Sequence, residues 1–248
     1  MHTTRRAFAA LAVPLVTATA LAACGSGDGT STSSSSSSSS STTTEAKPPT
    51  AAELFDQARA TALSAKSAHI TGSVTDDGKP MTVDLTGTTD GSNQSLELGV
   101  GGGAKATILT VAGKYYLLGN AKFWSGELGA QAAKLLDGKY VKIPPADAKD
   151  FGDLTIKSLL TEMFEDKEMQ TALKSANAKV SKTTVDGAAA YSIADKTGGE
   201  LVVSADGKAT IFKIVGPSDE EGELEFSEWN KVAKVAPPNP STVIDLPK

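Results

Sequence analysis

From Thr50 onward the apolar positions recur first at helical spacing, then at every second residue, then at helical spacing again. Thr50-Ala51-Ala52-Glu53 has the Thr-x-x-Glu pattern of a capping box. Pro48-Pro49 blocks extension of a helix backwards, and Leu54, Phe55, Ala58, Ala62 and Leu63 form one face through about Ser67. Alternation follows. Ile70, Gly72 and Val74 alternate with His69, Thr71, Ser73 and Thr75, and Asp76-Asp77-Gly78-Lys79 reads as a hairpin turn. Met81, Val83 and Leu85 continue it, Asp90-Gly91 turns the chain, and Leu96 and Leu98 follow. Ala104–Val111 reads as a fourth strand, and Ala112-Gly113-Lys114 turns into Tyr115–Leu118. Local antiparallel pairing with one apolar face is expected of such a meander.

The period changes near Phe123-Trp124. Leu128, Ala132, Leu135 and Leu136 suggest a short helix ended by Asp137-Gly138, and Tyr140–Ile143 a strand stopped by Pro144-Pro145. Ile156, Leu159, Leu160, Met163 and Phe164 form a helical stripe; Met169, Ala172 and Leu173 form a shorter one. Strands resume at Lys179–Val185, Ala189–Ala194, Glu200–Ser204, Ala209–Val215 and Glu223–Phe226, with turns at Asp186-Gly187, Gly198-Gly199 and Asp206-Gly207. The tail from Pro237-Pro238-Asn239-Pro240 to Pro247 reads as extended. The tally is about ten or eleven antiparallel strands in two blocks, with helices before and between them: an α+β domain. Residues 50–248 are long enough for one domain with a sizeable core.

The first 49 residues show none of these periods. Arg5 and Arg6 precede an apolar stretch from Ala7 to Ala20, and Leu21-Ala22-Ala23-Cys24 follows. This is the order of a basic n-region, an h-region and a small-residue cleavage site, with 1–23 as the signal peptide. The h-region is too short and too rich in Ala and Thr to span a bilayer, which takes about 20 apolar residues. Leu21-Ala22-Ala23-Cys24 resembles the bacterial lipobox, which implies diacylglyceryl modification of Cys24, the chain's one cysteine, and a lipid-anchored protein on the extracytoplasmic face of the cell membrane. Thr4-Arg5-Arg6-Ala7-Phe8 also looks like a twin-arginine export motif, although an ordinary basic n-region explains the same two residues. Residues 24–49 read as the lipidated Cys and a tether, with an unbroken serine run from Ser33 to Ser41 and then Thr42-Thr43-Thr44. A flexible coil of that length spans about 25–30 Å. It is either an unmodified spacer or an O-glycosylated one.

Net charge is −5, and loss of residues 1–23 removes two arginines and no acid. No basic patch stands out, so nucleic acid is not an expected partner. The chain has two histidines; His2 departs with the signal peptide and His69 falls on the polar face of a strand. A nucleophile–His–acid set and a zinc site both lack their parts, so neither catalysis nor a cofactor or metal is expected. Gly99-Val100-Gly101-Gly102-Gly103-Ala104-Lys105 lacks the Gly-Lys-Ser/Thr ending of a phosphate loop and leads into a strand. Asp219-Glu220-Glu221-Gly222-Glu223-Leu224-Glu225 does not match calcium-loop spacing and reads as a solvated strand edge.

Several short motifs resemble those of the mycobacterial envelope lipoproteins of the LppX/LprG type, which are similar in fold to the LolA/LolB lipoprotein carriers. They are Gly113-Lys114-Tyr115-Tyr116-Leu117, Phe123-Trp124, Gly138-Lys139-Tyr140-Val141, Val185-Asp186-Gly187-Ala188-Ala189-Ala190-Tyr191, and Phe226-Ser227-Glu228-Trp229-Asn230 before Val235-Ala236-Pro237-Pro238. They spread over most of residues 50–248. The resemblance implies a half-barrel, a strongly curved antiparallel sheet with helices on its concave side. It also implies binding of acyl chains of a lipid or lipoglycan between the two layers; separately, a monomer is expected. Alternation and helical stripes then nominate Val83, Leu85, Leu98, Ile108, Leu117, Met163, Phe164, Tyr191, Ile193, Val203 and Phe226 as lining. The inner faces carry many Ala, Gly and Thr, and the chain has only two Trp, four Tyr and seven Phe. Small residues either widen a cavity or let the helices close it. In the closed case the domain is a non-enzymatic interaction protein that binds an envelope protein or wall partner by its outer surface.

Overall fold

The computed structural model describes residues 48–76, 78–144, 147–218 and 222–245. The export and anchor positions Arg5, Arg6, Leu21, Ala22, Ala23 and Cys24 and the tether from Ser33 to Thr44 lie outside the described residues. So do Asp77, Pro145, Asp219, Glu220, Glu221 and Pro247.

Helix α1 (Ala51–Ser64) starts as its capping box requires: Glu53 N donates to Thr50 Oγ1, and Thr50 N donates back to Glu53 Oε2 at 2.8 Å. It ends sooner than expected, because the chain turns extended at Ala65 and β1 (Ser67–Asp76) begins. Strands β2 (Lys79–Thr88), β3 (Asn93–Val100), β4 (Ala104–Val111) and β5 (Lys114–Gly119) complete the first meander. Ala112-Gly113 has positive φ at both residues, the two-residue turn whose twist matches its strands.

The single helix expected at 128–136 is two, α2 (Ala121–Leu128) and α3 (Ala130–Leu136), broken at Gly129, where φ is 86°. The stripe expected there is corrected too: Ala133 and Leu136 are buried, whereas Leu128 and Leu135 are 60% and 74% exposed. After β6 (Tyr140–Ile143) come a four-residue α4 (Lys149–Gly152), then α5 (Ile156–Glu165) and α6 (Lys167–Leu173). Thr155 and Asp166 cap these last two, accepting from Ser158 N and Met169 N. The second strand block is β7 (Lys179–Val185), β8 (Ala188–Ala194), β9 (Glu200–Ser204), β10 (Ile211–Val215) and β11 (Gly222–Ser227). Ala209, expected at the start of β10, has a φ of 50° and precedes it. β12 (Val243–Asp245) pairs in parallel with β6, so the extended tail supplies a twelfth strand and the sheet is mixed.

One open sheet results, in the order β12-β6-β5-β4-β3-β2-β1-β11-β10-β9-β8-β7. The two blocks join through β1 and β11, where Ile70 faces Phe226 and Gly72 faces Leu224. Inward side chains from β1–β4 and from β8–β11 enter one cluster with α1, α5 and α6. A flat sheet this wide could not bring both blocks onto the same helices. The sheet is a strongly curved half-barrel with those helices in its concavity, as expected. Phe55 of α1 and Phe164 of α5 meet edge to face at 5.3 Å in the centre, both fully buried.

Candidate functional site

Because side chains alternate along a strand, cross-strand register sorts the inward residues of the first meander into rows. Ile70, Leu85, Leu96, Ile108, Leu117 and Val141 form one row across β1–β6. The next is Gly72, Val83, Leu98, Ala106 and Gly119. The third, at the end of the strands near the β1–β2 turn, is Val74, Met81, Val100 and Ala104.

Burial falls from row to row. In the first only Leu117 is not fully buried; in the second Val83 and Leu98 are half-buried. In the third Val74, Met81 and Ala104 are half-buried and Val100 is 43% exposed. The concave face is thus closed at one end by α1 and α5 and open at the other, with an apolar floor running out to solvent. Helix α2 stands beside the open end. Asn120 caps it by accepting from Phe123 N, and its Nδ2 donates to Gly103 O. Lys122 Nζ donates to Gly102 O. Gly119 allows this approach, since a Cβ there would collide with Phe123 and Trp124. On the outer side of the same end Lys105 donates to Glu97 at 2.7 Å, which raises the lysine's pKa.

Leu85, Ile108, Met163, Phe164, Ile193, Val203 and Phe226 belong to the packed core. Val83, Leu98, Leu117 and Tyr191 are partly buried against it. Two cavities are described, of about 890 and 270 Å³, and among these nominated residues Phe226 alone borders either. Val83 and Leu98 lie on the way to the open end; Met163 and Phe164 lie on α5 in filled interior. Val74, Met81 and Val100 were not nominated, although the same alternation, carried two residues further along each strand, points to them.

The remaining chemistry follows ordinary structural roles. His69 Nε2 lies 2.9 Å from Asp84 Oδ1 on the outer face. Residues 99–103 end β3 and make a 3-10 turn into β4. Glu223 pairs with Lys213 at 3.5 Å across β11–β10. Among the described residues no three His, Cys, Asp or Glu side chains group as metal ligands, and no helix is long and apolar enough to cross a membrane.

No protein-family model matches the chain, and no curated protein matches it. Solved structures do. LprF from Mycobacterium bovis is 14% identical, with a TM-score of 0.45 over 77% of this chain and 96% of that one. The Mycobacterium tuberculosis lipoprotein LppX is 10% identical, with a TM-score of 0.43 over 75% and 98%. An uncharacterized conserved protein from Thermus thermophilus is 7% identical, with a TM-score of 0.32 over 78% and 98%. The likeness falls on the mycobacterial lipoproteins that the sequence motifs resemble. At these identities no residue role transfers.

Proposed function

We propose that this chain is an extracytoplasmic lipoprotein, anchored through lipid on Cys24 and spaced from the membrane by residues 25–49. Its domain, residues 50–248, binds acyl chains at the open end of the concave face and carries or presents them as a monomer. The observation that carries this reading is the solvent-reaching apolar row Val74, Met81, Val100 and Ala104, continuous with Val83 and Leu98. An alkyl chain laid along it removes apolar surface from water on both partners, a gain of about 0.8 kcal/mol per buried CH₂. No covalent step is needed. The carried lipid is separate from the one on Cys24, which lies outside the domain.

Among the described residues every core residue falls between Ala51 and Phe226, and the α2–α3 cluster between Leu117 and Ile244, so a chain lacking residues 1–24 keeps all of them. The test is mass spectrometry of an organic extract of that protein purified from its own host, with uptake of a fluorescent fatty acid beside it. Co-purifying lipid and saturable uptake are expected; absence of both would overturn acyl binding. A second reading, an interaction protein working by its outer surface, is favoured by the filled interior around Phe55 and Phe164. It predicts that double negative result together with an unchanged fold.

A further inference from the structure

The 890 Å³ cavity takes lining from β1, β10, β11 and the end of α1, and Phe226 is its one core residue. Its floor includes Thr71, Glu225 and Lys213, register partners across β1, β11 and β10. Their strand neighbours Ile70, Leu224 and Ile214 are core residues, so the floor is on the outer side of the sheet. The walls come from the end of α1 at Thr61 and Ala65, the β7–β8 turn, the β9–β10 turn and residues 226–231.

Trp229 is the fixed element of the wall. One ring face stacks on Phe226 at 5.8 Å and 7°, and its Nε1 donates to Ile211 O at 2.8 Å. The residues on either side, Glu228 and Asn230, have φ of 51° and 60°. Neither belongs to a strand hairpin, and left-handed backbone in a non-glycine residue costs about 1–2 kcal/mol. Asn230 is locked by Lys66 N, which donates to its Oδ1, and by its own N–H to Ser67 O. The backbone is therefore left-handed on both sides of one indole that borders the cavity, at Glu228 against the residue's own preference. Phe212 joins it there: a bulge between Ile211 and Lys213 adds one residue to β10, and Phe212 lines the cavity beside Lys213.

The polar groups are equally fixed. Asp206 accepts from Ser204 Oγ at 2.5 Å and from Lys208 N at 3.0 Å, and these bonds lower its pKa. Carboxylates (Asp186, Asp206, Glu225, Glu228) and ammonium groups (Lys208, Lys213, Lys231) nearly balance, which suits neither a polyanion nor a polycation. Aromatic surface ringed by acceptors, donors and hydroxyls suits a ligand with an apolar C–H face and an equatorial belt of hydroxyls that both donate and accept. The volume falls within the range of small-molecule sites.

We propose that this outer groove binds a neutral oligosaccharide, with a sugar ring against Trp229 and Phe212 and its hydroxyls on Glu225, Lys213 and Asp206. The site is independent of acyl binding. The experiment titrates the chain lacking residues 1–24 with maltotriose, cellotriose and mannotriose at millimolar concentrations, following the Trp229 indole resonance by NMR. Saturable shifts with at least one trisaccharide are expected. Glu225→Ala and Lys213→Ala, which leave the core untouched, should each weaken binding about tenfold. Trp229→Ala, followed by the backbone amide resonances of Lys213 and Glu225, should abolish it. No saturable shift with any of the three, or binding unchanged in both floor variants, overturns the proposal. Fatty-acid uptake retained in the floor variants separates this site from the acyl trough.

Discussion

The two ends of the concave face are made from the same strands by the same alternation, yet they do different things. At one end Ile70, Leu85, Leu96 and Ile108 lie under α1 and α5 and are buried. At the other, four residues along each strand, Val74, Met81, Val100 and Ala104 continue the apolar face and keep part of their solvent exposure. Burial at the first end serves stability. At the second, apolar surface left in contact with water contributes little to folding and is available to a ligand. The contrast teaches that an apolar row is a site or a core according to what covers it, not according to its composition.

The largest effect expected on this comparison is at the closed end. Phe164→Ala removes a fully buried ring that meets Phe55 and should cost about 3–5 kcal/mol, lowering Tm by roughly 10 °C in a thermal melt. The sharper test uses neighbours on one strand. Leu96→Ala should cost about 2–5 kcal/mol and Leu98→Ala under about 1.5, measured by urea unfolding. Equal costs would mean that the second row is as closed as the first. Met81→Ser with Val100→Ser should change stability by roughly 0.5 kcal/mol or less and weaken fatty-acid uptake about tenfold. Uptake unaffected by that pair would move the acyl site elsewhere.

The smallest effect concerns the β2–β3 turn, beyond the closed rows. Asp90 accepts from Ser92 N and Ser92 Oγ, and these bonds hold its carboxyl below the ordinary carboxylate range. A lowered folded pKa means that the carboxylate's contribution is present above the unfolded value and is lost as pH falls through the folded one. Stability should therefore decline in acid, below about pH 4, and Asp90→Asn should flatten part of that decline. The side chain is exposed, so the change is small. A pH profile identical in the variant would remove the turn from this account.

Much of the architecture is legible in the sequence. The capping box at Thr50, the Ala112-Gly113 and Asp186-Gly187 turns and the stripe from Ile156 to Phe164 each specify local structure through contacts a few residues apart. Where the reading went astray, a distant partner decided. Leu128 and Leu135 have helical spacing, but the break at Gly129 turns both away from the buried side of α2 and α3. Val243–Asp245 is too short a β-branched run to specify a strand alone and becomes β12 because β6 offers it an edge.

The sequence by itself determined which residues face inward, because alternation is a property of each strand alone. It also carried the lipobox-like segment Leu21–Cys24 and the serine run that follows it. Only the tertiary structure decided which inward rows the helices cover. That depends on the length and placement of α1 and α5 against strands paired across the chain, from Ile70 to Phe226. For the same reason Met163 and Phe164 became core, Val74, Met81 and Val100 an open apolar floor, and Trp229 the wall of an outer groove. Burial is set by long-range packing, which no local period encodes.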